Sequence, residues 1–179
     1  GTAEIIHAAN RGEHFTVFFV NNAIYGMTGG QMAPTSLIGQ KTRTTPDGRC
    51  EETDGAPIAM SEMLSTLKGP IFVERVTLSS AVNTIKAKKV FKKALTNQVN
   101  RKGFSFVEVL SPCPVNWKMT PVEAREWMKS TLEKQFPVKN FKDIDGKKFA
   151  PWDYQAIQFH QCIEKKVFFN IIKIFVVRV

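Results

Sequence analysis

The sequence predicts an α/β fold, a mostly parallel sheet with helices on both faces, and three observations predict it. Short, nearly continuous apolar runs occur at residues 15–20, 71–76 and 104–110, the composition of strands buried on both faces. Between them lie segments whose apolar residues recur every three to four positions, the period of an amphipathic helix. Helices alternating with such strands imply crossover connections, with ligands beyond the strands' carboxyl ends.

Taken in order, Ile5, Ile6, Ala8 and Ala9 share one helical face, so residues 3–13 read as a helix leading into the strand at 15–20. Residues 21–56 are rich in glycine, include Pro34 and Pro46, and keep no period, which marks a long loop of the kind that is usually functional or mobile. Pro57 suits the first position of a helix carrying Ile58, Met60, Met63, Leu64 and Leu67 and ending near Gly69. After the strand at 71–76, Ser80 can cap a helix running to about Asn100, with Ala81, Val82, Ile85, Val90, Phe91, Ala94 and Leu95 on one side. Its other side carries Lys86, Lys88, Lys89, Lys92 and Lys93. Following the strand at 104–110, Thr120-Pro121-Val122-Glu123 is a capping box that opens a helix through about Gln135. Past Gly146 the pattern weakens: Pro151-Trp152-Asp153-Tyr154 reads as a loop, and 155–179 as helix followed by strand.

Composition bounds the function. The 179 residues amount to about one domain, and 43% hydrophobic content suits a sizeable core. Cys50, Cys113 and Cys162 share no Cys-x-x-Cys spacing, so neither a zinc site nor a disulfide framework can be read from them. The longest apolar stretch, 167–179, is interrupted by Asn170, Lys173 and Arg178 and is shorter than the ~20 residues that cross a bilayer. No secretory signal opens the chain, so a soluble, cytoplasmic protein without a membrane partner is expected. A net charge of +9 attracts anionic partners, but no basic-aromatic interleaving accompanies it, so nucleic acid is not expected as one. His7, His14 and His160 are too scattered to serve as ligands.

The most informative segment is Asn21-Asn22-Ala23-Ile24-Tyr25-Gly26-Met27-Thr28-Gly29-Gly30-Gln31, directly after the first strand. Amides, a hydroxyl and glycines there suit a loop whose backbone approaches a phosphate or a cation. Local sequence alone is better served by ordinary turns.

This segment resembles the second half of the thiamine diphosphate motif in beta subunits of the 2-oxoacid:ferredoxin oxidoreductases, of the type acting on 2-oxoisovalerate or 2-oxoglutarate. The likeness continues through Ala33-Pro34-Thr35-Ser36, Thr44-Thr45-Pro46-Asp47-Gly48-Arg49, Phe72-Val73-Glu74-Arg75-Val76, the stretch from Gly103 to Pro114, and Phe141-Lys142-Asp143. It covers residues 1–143, which it marks as a thiamine diphosphate-binding domain in a portion of the family subunit that begins after the amino-terminal part. Residues 144–179 form an atypical tail that does not match and is expected as an interface element or as the product of an altered reading frame.

The resemblance implies a thiamine diphosphate-binding fold and assigns roles. The Asn22 side chain and the Ile24 carbonyl would be ligands of Mg2+, alongside an aspartate from an upstream Gly-Asp-Gly that is not in this sequence. Tyr25, Gly26, Thr28 and Gly29 would contact the cofactor, while Met27 and Gly29 would face the substrate. Cys113, in Ser111-Pro112-Cys113-Pro114, matches one cysteine ligand of a [4Fe-4S] cluster whose other three lie upstream. The family decarboxylates a 2-oxoacid, passes the acyl group to coenzyme A and reduces ferredoxin. Its catalytic glutamate lies on the alpha subunit, and gamma and delta subunits can accompany it. No catalytic residue is assigned in this chain; Glu74 and Glu108 read as strand-end charges paired with a basic group. Relatives acting on dicarboxylates often carry lysine where this chain has Gly29, so a branched-chain substrate such as 2-oxoisovalerate is expected, the alternatives being 2-oxoglutarate or a non-catalytic assembly fragment. The lysine-rich helix face reads as solvated, or as a docking surface for acidic ferredoxin.

Overall fold

The computed structural model describes residues 1–144 and, for the backbone alone, 174–178. The expected loop at 151–154, the helix expected after it, Cys162 and His160 lie outside the described residues.

The chain opens with α1 (Thr2–Arg11), stopped by Gly12 in the left-handed region at φ 68°, and then enters β1 (Thr16–Asn21). The long loop follows, broken only by α2 (Glu51–Asp54). Helix α3 (Met60–Thr66) starts three residues later than Pro57 suggested: Ala59, at φ −90° and ψ 84°, is its N-cap, so the proline precedes the helix rather than opening it. Next come β2 (Pro70–Thr77), α4 (Ala81–Val99) and β3 (Phe104–Leu110). The Ser80 hydroxyl accepts from the Asn83 amide and so caps α4 as expected.

After β3, α5 (Pro114–Trp117) and α6 (Pro121–Trp127) follow, with the predicted capping box between Thr120 and Glu123 formed. A π-helical turn, Met128–Leu132, leads into α7 (Glu133–Gln135), so the helix expected through Gln135 is continuous but not uniformly α. The strands β4 (Asn140–Asp143) and β5 (Ile174–Arg178) complete the sheet in the order β4-β2-β3-β1-β5. All neighbours are parallel except β4, which is antiparallel to β2 and forms an edge that the sequence pattern did not announce.

Both faces are covered, and period-two alternation decides which side chain goes where. Val17, Phe19, Val73, Phe104 and Phe106 pack beneath α1 and α3. Phe18, Phe72, Val76, Val107 and Val109 pack beneath α4 through Ala87 and Ala94. A third cluster, Ala23, Leu37, Leu110, Met128, Leu132 and Phe136, closes the carboxyl end of the sheet. The lysines at 86, 88, 89, 92 and 93 are exposed as expected, and Lys93 pairs with Asp143.

Candidate functional site

Strands β1 and β3 are adjacent and parallel, with Asn21 opposite Leu110, so the segments leaving their carboxyl ends must meet. Here the first strand ends and the chain turns sharply. The Asn21 carboxamide oxygen accepts from the Ala23 amide at 3.0 Å, and Asn22 Oδ1 accepts from the Ile24 amide at 3.3 Å. Two such side-chain-closed turns in succession reverse the chain in two residues. Ala23, fully buried, takes φ 56° between them, in the left-handed region that costs a residue with a β-carbon about 1–2 kcal/mol. Its carbonyl is held by Ser36 Oγ at 2.6 Å and Gln40 Nε2 at 2.9 Å.

The following turn is closed by the Gly30 amide donating to the Tyr25 carbonyl at 2.9 Å, while Tyr25 N–H donates to Gln31 O at 3.0 Å. Within it, the N–H groups of Gly26, Met27, Thr28 and Gly29 have no hydrogen-bond partner among the described residues. Successive free amides in one turn form a concavity for an anion. The Thr28 hydroxyl donates to Gln31 Oε1 at 2.6 Å, so it would have to leave that partner to donate elsewhere. Gly29 and Gly30 have φ 108° and 88°.

From β3 comes the second arm. Cys113, half-buried, is the N-cap of α5, and its sulfur accepts from Asn116 Nδ2 at 3.3 Å. The same amide donates to the Gly26 carbonyl at 3.2 Å, and Trp117 Nε1 donates to the Asn22 carbonyl at 3.1 Å. A β-carbon at Gly26 would lie 3.2 Å from both Cys113 Sγ and Asn116 Nδ2. Glycine is what lets the two arms touch.

The structure thus brings Asn22, Ile24, Gly26 and Cys113 together. Met27, by contrast, is 82% exposed, and Tyr25 is 38% exposed. Arg43, Asn116 and Trp117 were not singled out from sequence. The signal was available for two of them: the adjacent hydrogen-bond donors Asn116 and Trp117 come just after the Pro112-Cys113-Pro114 that follows β3. Arg43 is a different case, because only the fold brings its Nη1 within 3.1 Å of where a β-carbon on Gly29 would lie, while its backbone amide donates to Gly30 O at 2.8 Å.

Tested against the expected groups, the donors fit in part. Asn22 Oδ1 and the Ile24 carbonyl, which accepts no hydrogen bond among the described residues, are the neutral oxygens magnesium takes, and the free amides suit a diphosphate. Among the described residues no group of three or more His, Cys, Asp or Glu could hold a metal ion. These residues therefore offer no cluster of charged ligands for the cation, and they do not by themselves fit a four-thiolate cluster.

Beneath the turn lies a buried ionic layer. Arg75 and Glu108, paired across β2 and β3, are both 0% exposed. Arg75 Nε donates to Glu108 Oε2 at 2.9 Å, and its other nitrogens reach Glu62 and the Pro137 carbonyl. Phe136 and Phe141 lie 5.2 and 5.0 Å from the guanidinium carbon. Burial on its own would raise the Glu62 carboxyl, but hydrogen bonds from Arg75 and from its own backbone amide, together with the charges of Arg75 and Lys139, outweigh it and hold that group below the usual carboxylate range. Burial likewise opposes the Arg75 charge, and the two glutamates overcome it, so its pKa is raised. The expectation of a basic partner holds for Glu108, which is however in the core rather than at a strand end; Glu74 instead accepts from Asn140 Nδ2 at 2.8 Å.

Comparison with known proteins gives findings of three kinds: a family, relatives and a solved structure. Residues 2–109 match the family "Thiamine pyrophosphate enzyme, C-terminal TPP binding domain". The ketoisovalerate oxidoreductase subunit VorA of Methanothermobacter marburgensis is 52% identical over 143 residues, covering 80% of this chain and 30% of that protein. The 2-oxoglutarate synthase subunit KorB of the same organism is 34% identical over 154 residues, covering 82% of this chain and 50% of that protein. Among solved structures, 2-oxoglutarate:ferredoxin oxidoreductase from Magnetococcus marinus with 2-oxoglutarate, coenzyme A and succinyl-CoA bound matches with a TM-score of 0.58 at 25% identity, over 73% of this chain and 40% of that one. The chain thus spans between 30% and 50% of the length of these relatives. Among the described residues no helix is long and apolar enough to cross a membrane.

Proposed function

The chain belongs to the thiamine pyrophosphate enzymes through their C-terminal TPP-binding domain, and on that premise we propose that it is the cofactor-binding part of a 2-oxoacid:ferredoxin oxidoreductase. The reaction proposed is decarboxylation of a 2-oxoacid to an acyl-CoA with reduction of ferredoxin, in a cytoplasmic complex with an alpha subunit and further subunits. Residues 1–143 are the domain that serves it, and 144–179 an added interface element.

The observation that carries this reading is the turn of free amides after β1, with two neutral oxygens at its entrance. Asn22 Oδ1 and the Ile24 carbonyl would hold Mg2+, and the amides from Gly26 to Gly29 would bind the diphosphate beside Tyr25 and the Thr28 hydroxyl. Bound there, thiamine diphosphate supplies the electron sink that 2-oxoacid decarboxylation needs. This chain's own contribution is binding and orientation: successive amides fix the phosphates, and Asn116 keeps the Cys113 arm against the loop. Cys113 would give one thiolate to an iron-sulfur cluster completed from elsewhere in the complex.

A branched-chain substrate such as 2-oxoisovalerate, with Met27 and Gly29 on the substrate side, is favoured by the higher identity to the ketoisovalerate subunit. One observation favours 2-oxoglutarate instead: the Arg43 guanidinium lies beside Gly29, where it could meet a distal carboxylate. Calorimetric titration of the complex carrying this chain tests the cofactor site. Asn22→Ala should weaken Mg2+-dependent thiamine diphosphate binding by about tenfold or more with the fold intact, and unchanged binding would reject the assignment.

A further inference from the structure

The ionic layer and the turn are joined by one side chain. Asn21, Arg75 and Glu108 continue the rows of Phe19, Val73 and Phe106 on the α3 side of the sheet, so the apolar layer becomes a polar one at its carboxyl end. There Glu108 Oε1 accepts from Asn21 Nδ2 at 2.8 Å, while Oε2 accepts from Ser61 Oγ at 2.6 Å and from Arg75 Nε at 2.9 Å. All four side chains are 0% exposed.

We infer that Glu108 is the positioning residue of the turn after β1 and that it acts through Asn21. A carboxylate only accepts, so it obliges the Asn21 carboxamide to present its NH2 inward and its oxygen toward the Ala23 amide. That oxygen closes the turn in which Ala23 adopts φ 56°. Alanine does not choose this conformation unaided. With Ala23 so held, the Asn22 carbonyl meets Trp117, and Asn22 Oδ1 and the Ile24 carbonyl follow at the sheet's edge. Arg75 holds the carboxylate that orients the amide, which gives the buried charge a task beyond packing. Glu108 does not itself reach the site; it sets the direction in which the chain leaves the strand.

The functional half of this inference rests on the proposed cation and diphosphate site; the geometric half does not. Substituting Glu108 would also strip Arg75 of its partner, so the test uses Asn21→Ala and Asn21→Asp, the latter setting a second carboxylate against Glu108. Ser61→Ala, which removes a Glu108 contact remote from the turn, is the control. In the full chain, 15N-labelled tryptophan reports the Trp117 indole N–H. In the complex that carries the chain, calorimetry reports Mg2+-thiamine diphosphate affinity.

Both Asn21 variants should move the Trp117 resonance and weaken affinity by about tenfold, while Ser61→Ala should change neither. The inference is overturned if Asn21→Ala leaves the resonance in place, or if Ser61→Ala reproduces its effects. Asn22→Ala separates the two readings. If it weakens binding while Asn21→Ala does nothing, the proposed site stands and the positioning role falls. If it leaves binding unchanged while Asn21→Ala still moves Trp117, the positioning role stands and the proposed cation site falls.

Discussion

Gly69 and Ala9 are in backbone contact: a β-carbon on Gly69 would overlap the Ala9 carbonyl oxygen and lie 2.7 Å from that of Asn10. This contact seats the end of α1 against the start of β2, where neither backbone has room to yield. Gly69→Ala should therefore destabilise the chain by about 3 kcal/mol, the upper range for an overpacked core, seen as a lower denaturation midpoint at unchanged m-value. A midpoint within error of the parent would mean that α1 can shift freely.

Arg75 carries the largest single prediction about stability. Replacing it with Met leaves Glu108 buried with only Ser61 and Asn21 as donors, and breaking such a pair costs about 3–5 kcal/mol. Arg75→Met with Glu108→Leu should recover much of that loss, because the unpaired charge is gone; a double variant as unstable as the single one would argue against charge as the cause.

Acid should act through Glu62. Its pKa is lower in the folded chain than in the unfolded one, so its contribution is complete above the unfolded value of about 4.3 and is lost as pH falls through the lower folded value. Melting temperature should drop over that window, and Glu62→Gln should flatten the drop. An identical acid limb in the variant would remove Glu62 from the account.

Arg49 holds the long loop without any acidic partner among the described residues. It donates to the carbonyls of Ala33, Pro34, Ser36, Asp54, Gly55 and Ala56, and each charge-assisted bond is worth about 1.5–3 kcal/mol. Arg49→Lys cannot span that fan. It should make residues 33–56 the first site of proteolytic cleavage under native conditions, read by mass spectrometry.

Substrate selectivity should separate the two readings of the site. With the complex, kcat/KM for 2-oxoisovalerate should exceed that for 2-oxoglutarate, and Arg43→Met should leave the former unchanged. A dicarboxylate preference that Arg43→Met abolishes would transfer the assignment to 2-oxoglutarate.

How much of this was legible beforehand depends on the range of the interactions. The residue pattern alone determined the parallel α/β layers, the extent of β3, the Ser80 and Thr120 caps and the glycine-rich turn, because periodicity, capping and turn chemistry act over a few residues. Its resemblance to a known motif pointed to Asn22, Ile24 and Cys113 as neighbours in function. Only the folded chain decided that Asn116 reaches Gly26 across 90 positions, that Arg43 comes to rest beside Gly29, and that Glu108 is buried against Asn21 rather than facing solvent. The last of these contacts arises from the register of β1, β2 and β3, which sets Glu108 opposite Arg75 and diagonal to Asn21 on one face of the sheet, and no local pattern encodes it.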